Sequence, residues 1–284
     1  MIPGSFDYHR PKTVGEAVKL LKKHRDSRAL AGGHSLLPMM KLRMAAPRAL
    51  VDLGGIATIR GIKKAGTKLV IGAMTTQHEI LASALIKKHA PILQDTAILI
   101  ADPQVRYVGT IGGNVANGDP GNDMPAVMLA LDATYKIAGP AATRAVKARA
   151  FYKGPYEIAL KTGEIVTAIE IPALGKHGFA YEKLKRKIGD YATAAAAVVL
   201  TMKGGKIVTC AIALTNLGPT ALLADAAARA LIGTVGNNSA VDAAVAEARK
   251  IMTPANDTRG TPQYRTSVGG TYVARAIKAA MARA

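Results

Sequence analysis

The chain has 284 residues, 49% hydrophobic and 20% charged, the balance of a folded globular protein long enough for two domains. One cysteine excludes an intrachain disulfide and a cysteine-ligated iron–sulfur cluster, and the six histidines show no H-E-x-x-H or comparable spacing, so no metal is expected on this chain. The net charge of +19 invites a nucleic-acid reading, but with no Trp, 3 Phe and basic residues spread along the length, a solvated surface or a face for acidic partner subunits is expected instead.

Thr13-Val14-Gly15-Glu16 has the spacing of a capping box, and Ala17, Leu20 and Leu21 supply an apolar face for the helix that follows. Arg28 to Ala31 reads as a short strand entering Ala31-Gly32-Gly33-His34-Ser35. Pro38 then suits the first turn of a helix over Leu36 to Arg43, and Ala49 to Leu53 is a second short strand. Thr58 to Lys64 and Thr67 to Ala73 form a hairpin around Ala65-Gly66. Thr76-Gln77-His78-Glu79 is a second capping box, opening a helix to about His89. Another helix follows Pro91, reaching about Ile100. Thr110-Ile111-Gly112-Gly113-Asn114 comes next, expected to follow a strand as the first glycine pair does. Met124 to Leu131 reads as a helix, Ala133 to Ala138 with Thr143 to Ala148 as a hairpin, and Glu164 to Ile171 as a strand.

Pro172 to Gly178, rich in Pro and Gly, reads as a linker. Beyond it Phe179 to Leu184, Ala194 to Met202 and Lys206 to Leu214 are strands, the last two joined at Lys203-Gly204-Gly205. Cys210 lies in an alternating run and is expected to be a buried strand residue, not a reactive thiol. Three alanine-rich helices follow, near Ala221 to Ile232, Ala240 to Met252 and Tyr272 to Ala282. No apolar run is long enough to span a membrane, and the first residues lack the layout of a secretion signal, so a cytoplasmic, non-spanning protein is expected.

The chemistry concentrates in the two glycine pairs. Glycine lets backbone approach a ligand where a Cβ would clash, and successive N–H groups in such turns make anion sites. Neither pair fits G-x-G-x-x-G or G-x-x-x-x-G-K-[ST], and either alone is as easily a structural turn. On the functional reading, Ser35 caps the next helix or donates to a phosphate, the backbone at Gly112 and Gly113 meets a pyrophosphate, Asn114 and Asn117 add polar contacts, and Asp123 accepts from ribose or ribityl hydroxyls. In Lys183-Leu184-Lys185-Arg186-Lys187-Ile188-Gly189-Asp190-Tyr191, a basic run is ordinarily a solvated face. A lysine there is also suited to tune a flavin, and Tyr191 to cover its ring. No Ser-His-Asp, paired-carboxylate or Cys-His arrangement stands out, so no catalytic acid–base residue is expected.

Together, A-G-G-H-S and T-I-G-G-N resemble the two FAD motifs of the flavoprotein subunits of molybdenum hydroxylases, the xanthine oxidase family. Met1-Ile2-Pro3 with Phe6-Asp7-Tyr8-His9, Ile100 to Arg106, Asn117 to Pro125 and Tyr181 to Ala197 resemble its carbon-monoxide-oxidising branch, and the resemblance covers essentially the whole chain. It implies an α+β fold: an FAD-binding domain over residues 1–175, made of two α+β subdomains (about 1–56 and 57–175), then a smaller C-terminal α+β domain of sheet plus helices over 176–284. It implies that Ala31, Gly32, Gly33, His34, Ser35 and Leu36, with Thr110, Ile111, Gly112, Gly113 and Asn114, hold the pyrophosphate and nearby groups of FAD. Asn117 and Asp123 fall at further FAD contacts, Ile165 and Lys185 at positions where spacing varies, and Tyr191 beside the isoalloxazine.

The resemblance also implies partners. A large subunit would carry a molybdenum–copper cofactor and a small one two 2Fe-2S clusters, in a dimer of heterotrimers. This chain would pass electrons from those clusters to a quinone or similar acceptor, in the cytoplasm or peripherally at the inner face of the membrane. The flavin subunit of a relative oxidising an N-heterocycle or aldehyde would share these features, because the large subunit selects the substrate.

Overall fold

The computed structural model describes residues 2–284; Met1, the first residue of the Met1-Ile2-Pro3 segment, lies outside the described residues. A small parallel unit comes first: β1 (Asp7–His9), α1 (Val14–Lys23), β2 (Ser27–Leu30), α2 (Leu36–Lys41) and β3 (Ala49–Asp52), with strand order β1-β3-β2. The capping box forms as expected: Thr13 Oγ1 accepts from the Glu16 N–H at 3.2 Å while the Glu16 carboxylate accepts from the Thr13 N–H. The apolar stripe of α1, Ala17, Val18 and Leu21, is buried in one cluster with Val51 of the central strand.

The second unit holds β4 (Ile62–Ala65), β5 (Lys68–Gly72), α3 (Gln77–Ala82), α4 (Ala84–His89), α5 (Ile92–Ala97), α6 (Pro103–Val108), α7 (Ile111–Ala116), α8 (Asp123–Ala130), β6 (Thr134–Ala138), β7 (Thr143–Lys147), β8 (Tyr152–Gly154), β9 (Glu157–Ile158) and β10 (Ile165–Pro172). Its five-stranded sheet is antiparallel, ordered β4-β5-β10-β6-β7. A bulge between Val166 and Ala168 breaks the alternation of β10. Just before it, neighbouring Ile165 and Val166 point to opposite faces of the sheet and both are buried, Ile165 in the core of the first unit and Val166 in that of the second.

Two expectations need correction here. The single helix expected from Thr76 to His89 is two, because Ser83 adopts an extended conformation and its side chain accepts from the Ile86 N–H, capping a new helix. The second glycine pair does not follow a strand. It follows α6 and forms the first turn of α7.

The last unit is the antiparallel sheet β11 (Gly178–Leu184), β12 (Ala194–Lys203), β13 (Lys206–Thr215) and β14 (Leu222–Leu223), followed by α9 (Asp225–Leu231), α10 (Asn238–Lys250) and α11 (Pro262–Ala282). Strand β12 is buried on both faces. Ala194, Ala196, Val198 and Leu200 face the helices, whereas Ala195 and Ala197 join the core of the second unit. Those alanines, with Ala213, let α8 lie close against the sheet, and all eight residues of α8 are buried. Helix α11 begins ten residues earlier than expected. Gly269 and Gly270 lower its intrinsic propensity; a Cβ at Gly270 would stand 2.3 Å from Arg249 Nε, so the glycine leaves room for that guanidinium to lie across α11. Among the described residues no helix is long and apolar enough to cross a membrane.

Candidate functional site

The two glycine motifs meet. A Cβ on Gly32 would lie 2.5 Å from the Val108 carbonyl oxygen and 2.7 Å from Gly109 Cα, so the first loop rests directly on main chain leading into the second motif. A Cβ on Gly113 would lie 3.3 Å from Ala31 Cβ, the reciprocal contact. Gly33 has φ +75°, the left-handed turn that sends the chain from β2 into α2. The second motif is strapped to the end of the second sheet: Ile111 N–H donates to Thr75 O at 2.9 Å and Gly112 N–H to Ala73 O at 2.8 Å, and Thr76 bridges Thr110.

The two loops then divide the work differently from the sequence reading. In the second, the Gly113 N–H donates to Thr110 Oγ1 at 3.0 Å and the Asn114 N–H to Thr110 O at 3.0 Å. Every N–H from Ile111 to Asn114 is thus already satisfied, and a Cβ on Gly112 would strike Ala73 at 2.5 Å. The backbone donors expected at Gly112 and Gly113 are engaged within the protein. In the first loop the reverse holds: the N–H groups of Gly32, Gly33, His34, Ser35 and Leu36 find no acceptor among the described residues. Ser35 precedes α2 but makes no side-chain cap, so its hydroxyl does not close that helix end. Five consecutive unengaged donors beside a glycine turn form a cradle for a polyanion. In the second motif the buried Asn114 Oδ1 has no partner, while the Asn114 carbonyl accepts from Asn122 Nδ2 at 2.8 Å.

Below this cradle a buried ionic network joins the second and third units. Asp123 Oδ2 accepts from Lys183 Nζ at 2.9 Å, and its Oδ1 from the Tyr181 hydroxyl at 2.6 Å, which also reaches Thr215 Oγ1. The Lys183 side chain is 1% exposed. Burial pushes the Asp123 carboxyl above its ordinary value, opposed by Lys183, Tyr181 and the nearby Lys185. Lys183 also donates to Leu99 O at 3.3 Å, and Arg106 Nη1 donates to Ile100 O and Ala101 O at 2.9 and 3.2 Å. The turn they hold contains Ala101 at φ +46°, against which the Gly189 turn packs.

Tyr191 closes the arrangement. It is 41% exposed, its ring packs over Gly121, and the Arg259 guanidinium sits 5.6 Å from the ring centre. Burial raises its hydroxyl pKa, with Asp119 and Asp123 acting the same way and Arg259 and Ser35 opposing.

Of the residues singled out from sequence, Ala31, Gly32, Gly33, His34, Ser35 and Leu36 gather with Thr110, Ile111, Gly112, Gly113 and Asn114, and Asn117 caps the end of α7. Asp123 is turned to Lys183, so both its oxygens are already engaged. Lys185 is half-buried within electrostatic reach of Asp123. Ile165 is 2% exposed in the core of the first unit and presents no side-chain surface to a ligand. Sequence reasoning missed Arg106, quoted only as part of a resembling segment, and Lys183, passed over for Lys185; neither local spacing betrays a partner so far along the chain.

Residues 4–174 match the FAD binding domain in molybdopterin dehydrogenase, and residues 179–280 the CO dehydrogenase flavoprotein C-terminal domain. The chain belongs to the family of FAD-binding subunits of the molybdopterin dehydrogenases. It is 57% identical over 286 residues to the carbon monoxide dehydrogenase medium chain of Afipia carboxidovorans, covering 100% of this chain and 99% of that one. It is 47% identical to the medium chain of the Hydrogenophaga pseudoflava enzyme, again over 100% of this chain and 99% of that one. A crystal structure of a Cu,Mo-CO dehydrogenase in its cyanide-inactivated form superposes with a TM-score of 0.99 at 57% identity, covering 100% of both chains.

Proposed function

We propose that this chain is the FAD-carrying medium subunit of a carbon monoxide dehydrogenase, working beside a large molybdenum–copper subunit and a small iron–sulfur subunit. The observation that carries the cofactor is the run of unengaged N–H groups from Gly32 to Leu36, in a loop that packs on the motif whose Asn114 amide oxygen lacks a partner. Gly32 to Leu36 bind the pyrophosphate through backbone donors, and Ser35 adds its hydroxyl. Asn114 and Asn117 hold neighbouring polar groups; Ile111 and Gly112 keep that wall in place through bonds to Thr75 and Ala73, Thr110 through its bridge to Thr76, and Gly113 through its bond to Thr110. Lys185 sets positive charge beside the site, Lys183 and Asp123 fix the turn at Leu99 to Ala101, and Tyr191 shields the opening. When bound, FAD supplies a carrier that takes electrons from one-electron clusters and releases them to an acceptor.

The chain contributes binding and positioning and leaves substrate oxidation to the large subunit. The acceptor is a quinone or similar carrier. An excess of 38 Lys and Arg over 19 Asp and Glu suits approach to an anionic membrane surface. The assembly is a dimer of heterotrimers. The test is co-expression with the neighbouring subunits. The purified complex is expected to bleach its flavin absorption on exposure to carbon monoxide, while the isolated chain binds FAD and does not respond. A complex whose flavin responds to an N-heterocycle or an aldehyde and ignores carbon monoxide would overturn the assignment of substrate; a chain that cannot be loaded with FAD would overturn the assignment of cofactor.

A further inference from the structure

We propose that Asp7, His9 and His24 form a site for a divalent first-row transition-metal ion, separate from the glycine loops. Asp7 and His9 are two apart on β1 and so project from the same face of the strand. His24 is the residue that ends α1, and the return of the chain brings it beside that face. One ligand atom from each of the three side chains lies within 4.8 Å of the others.

Three features point to a ligand. First, none of the three side chains has an ion-pair or hydrogen-bond partner among the described residues, and His9 Nε2 is buried from solvent without one. Neighbouring polar groups do have partners: the intervening Tyr8 donates its hydroxyl to Asp52, and the Asp7 N–H donates to Arg48 O. Second, the His9 and His24 rings stand with centroids 4.7 Å apart and planes at 36°. With metal–nitrogen bonds of about 2.0–2.1 Å, two imidazoles on one ion place their centroids roughly 4.5–5.2 Å apart between right-angled and tetrahedral geometry, so small side-chain rotations bring the nitrogens onto a shared ion. Third, α1 ends here with its last carbonyls and the negative end of its dipole, which favours a cation.

The donor set decides the class of ion. Two imidazoles and a carboxylate suit Zn²⁺, Co²⁺ or Ni²⁺ better than Ca²⁺ or Mg²⁺, which prefer all-oxygen shells. The remaining coordination positions fall to water. Bound there, the ion ties β1 to the end of α1, one turn before β2 and the first glycine loop. The sequence showed no such site because its ligands follow strand spacing plus a distant helix end, and no metal motif has that form.

The test uses the untagged full-length chain, stripped with chelator and then titrated with Zn²⁺ by calorimetry and with Co²⁺ by visible absorption. One equivalent of Zn²⁺ is expected to bind, with Co²⁺ giving ligand-field bands and each ion raising the melting temperature. His24→Ala and Asp7→Asn, at a helix end and an exposed position, are each expected to weaken binding at least tenfold while flavin content stays as in the parent. No stoichiometric binding, or binding of equal strength in the parent and both variants, would overturn the site.

Discussion

Gly32 and Gly113 face the same junction yet differ in what a methyl group would meet. At Gly32 it would press on main chain at 2.5 and 2.7 Å, which cannot rotate away; at Gly113 it would meet Thr110 Oγ1 at 3.0 Å and Ala31 Cβ at 3.3 Å. Gly32→Ala is therefore expected to lose flavin and cost about 1–3 kcal/mol of stability, and Gly113→Ala to cost less and retain flavin, as read from urea midpoints and the flavin-to-protein absorbance ratio. Asp123 raises a different question, because it stabilises a lysine that is 1% exposed. Asp123→Ala strands that charge and is expected to cost about 3–5 kcal/mol in equilibrium unfolding. A loss below about 1 kcal/mol would mean that water reaches Lys183 and that the pair is not a buried one.

At the scale of elements, the edge of the five-stranded sheet is fastened by Arg144 of β7, whose Nε and Nη2 donate to Glu164 Oε1 and Oε2 at 2.8 and 2.6 Å. That bidentate pair holds the Glu164 carboxyl below its ordinary value of 4.5. A folded pKa below the unfolded one means that the stabilisation is present above pH 4.5 and is lost as pH falls through the lower folded value. Urea midpoints measured from pH 7 down to pH 3 are therefore expected to fall in the parent, and to fall less steeply in Arg144→Met. Parallel slopes would show that the pair does not set the acid limb.

Most strands and helices were legible because their signals are local: both capping boxes and the hairpin at Gly204-Gly205 are formed by neighbours in sequence. The break at Ser83 was not, since a serine that starts a new helix looks like one inside it. The start of α11 hid behind Gly269 and Gly270, which face Leu217, Met252 and Arg249, residues far away or on another element. In the site, both glycine pairs stood out in sequence. Which of them holds its donors in reserve depended on Ala73 and Thr75, which no spacing links to the motif.

For the whole molecule, the decisive packing runs across the apparent linker. Helix α8 is buried between its own unit and the alanine face of β12 and β13, and Tyr181, Ala195, Ala197 and Ala213 belong to the same core as Met124 and Met128. A fragment of residues 1–175 would expose that helix face and leave Asp123 without Lys183 and Tyr181. It is expected to be insoluble or molten, with no sigmoidal urea transition, whereas the whole chain unfolds with one cooperative transition by both far-ultraviolet and near-ultraviolet circular dichroism. A soluble fragment with its own cooperative transition would show that the shared core is dispensable.

The Ala31–Gly113 contact carries a consequence for the history of such chains. It is a contact between two side-chain positions, so glycine in place of Ala31 would relieve it, while the closer 3.0 Å approach to Thr110 Oγ1 would remain. Alanine in place of Gly113 is then expected to be better tolerated with glycine in place of Ala31 than without it, the rest of its cost lying at Thr110. Gly32 has no such bargaining partner, because what it touches is backbone common to every sequence. Two motifs far apart in the sequence are thus joined by one contact that a second substitution can ease and one, on main chain, that no substitution elsewhere can ease.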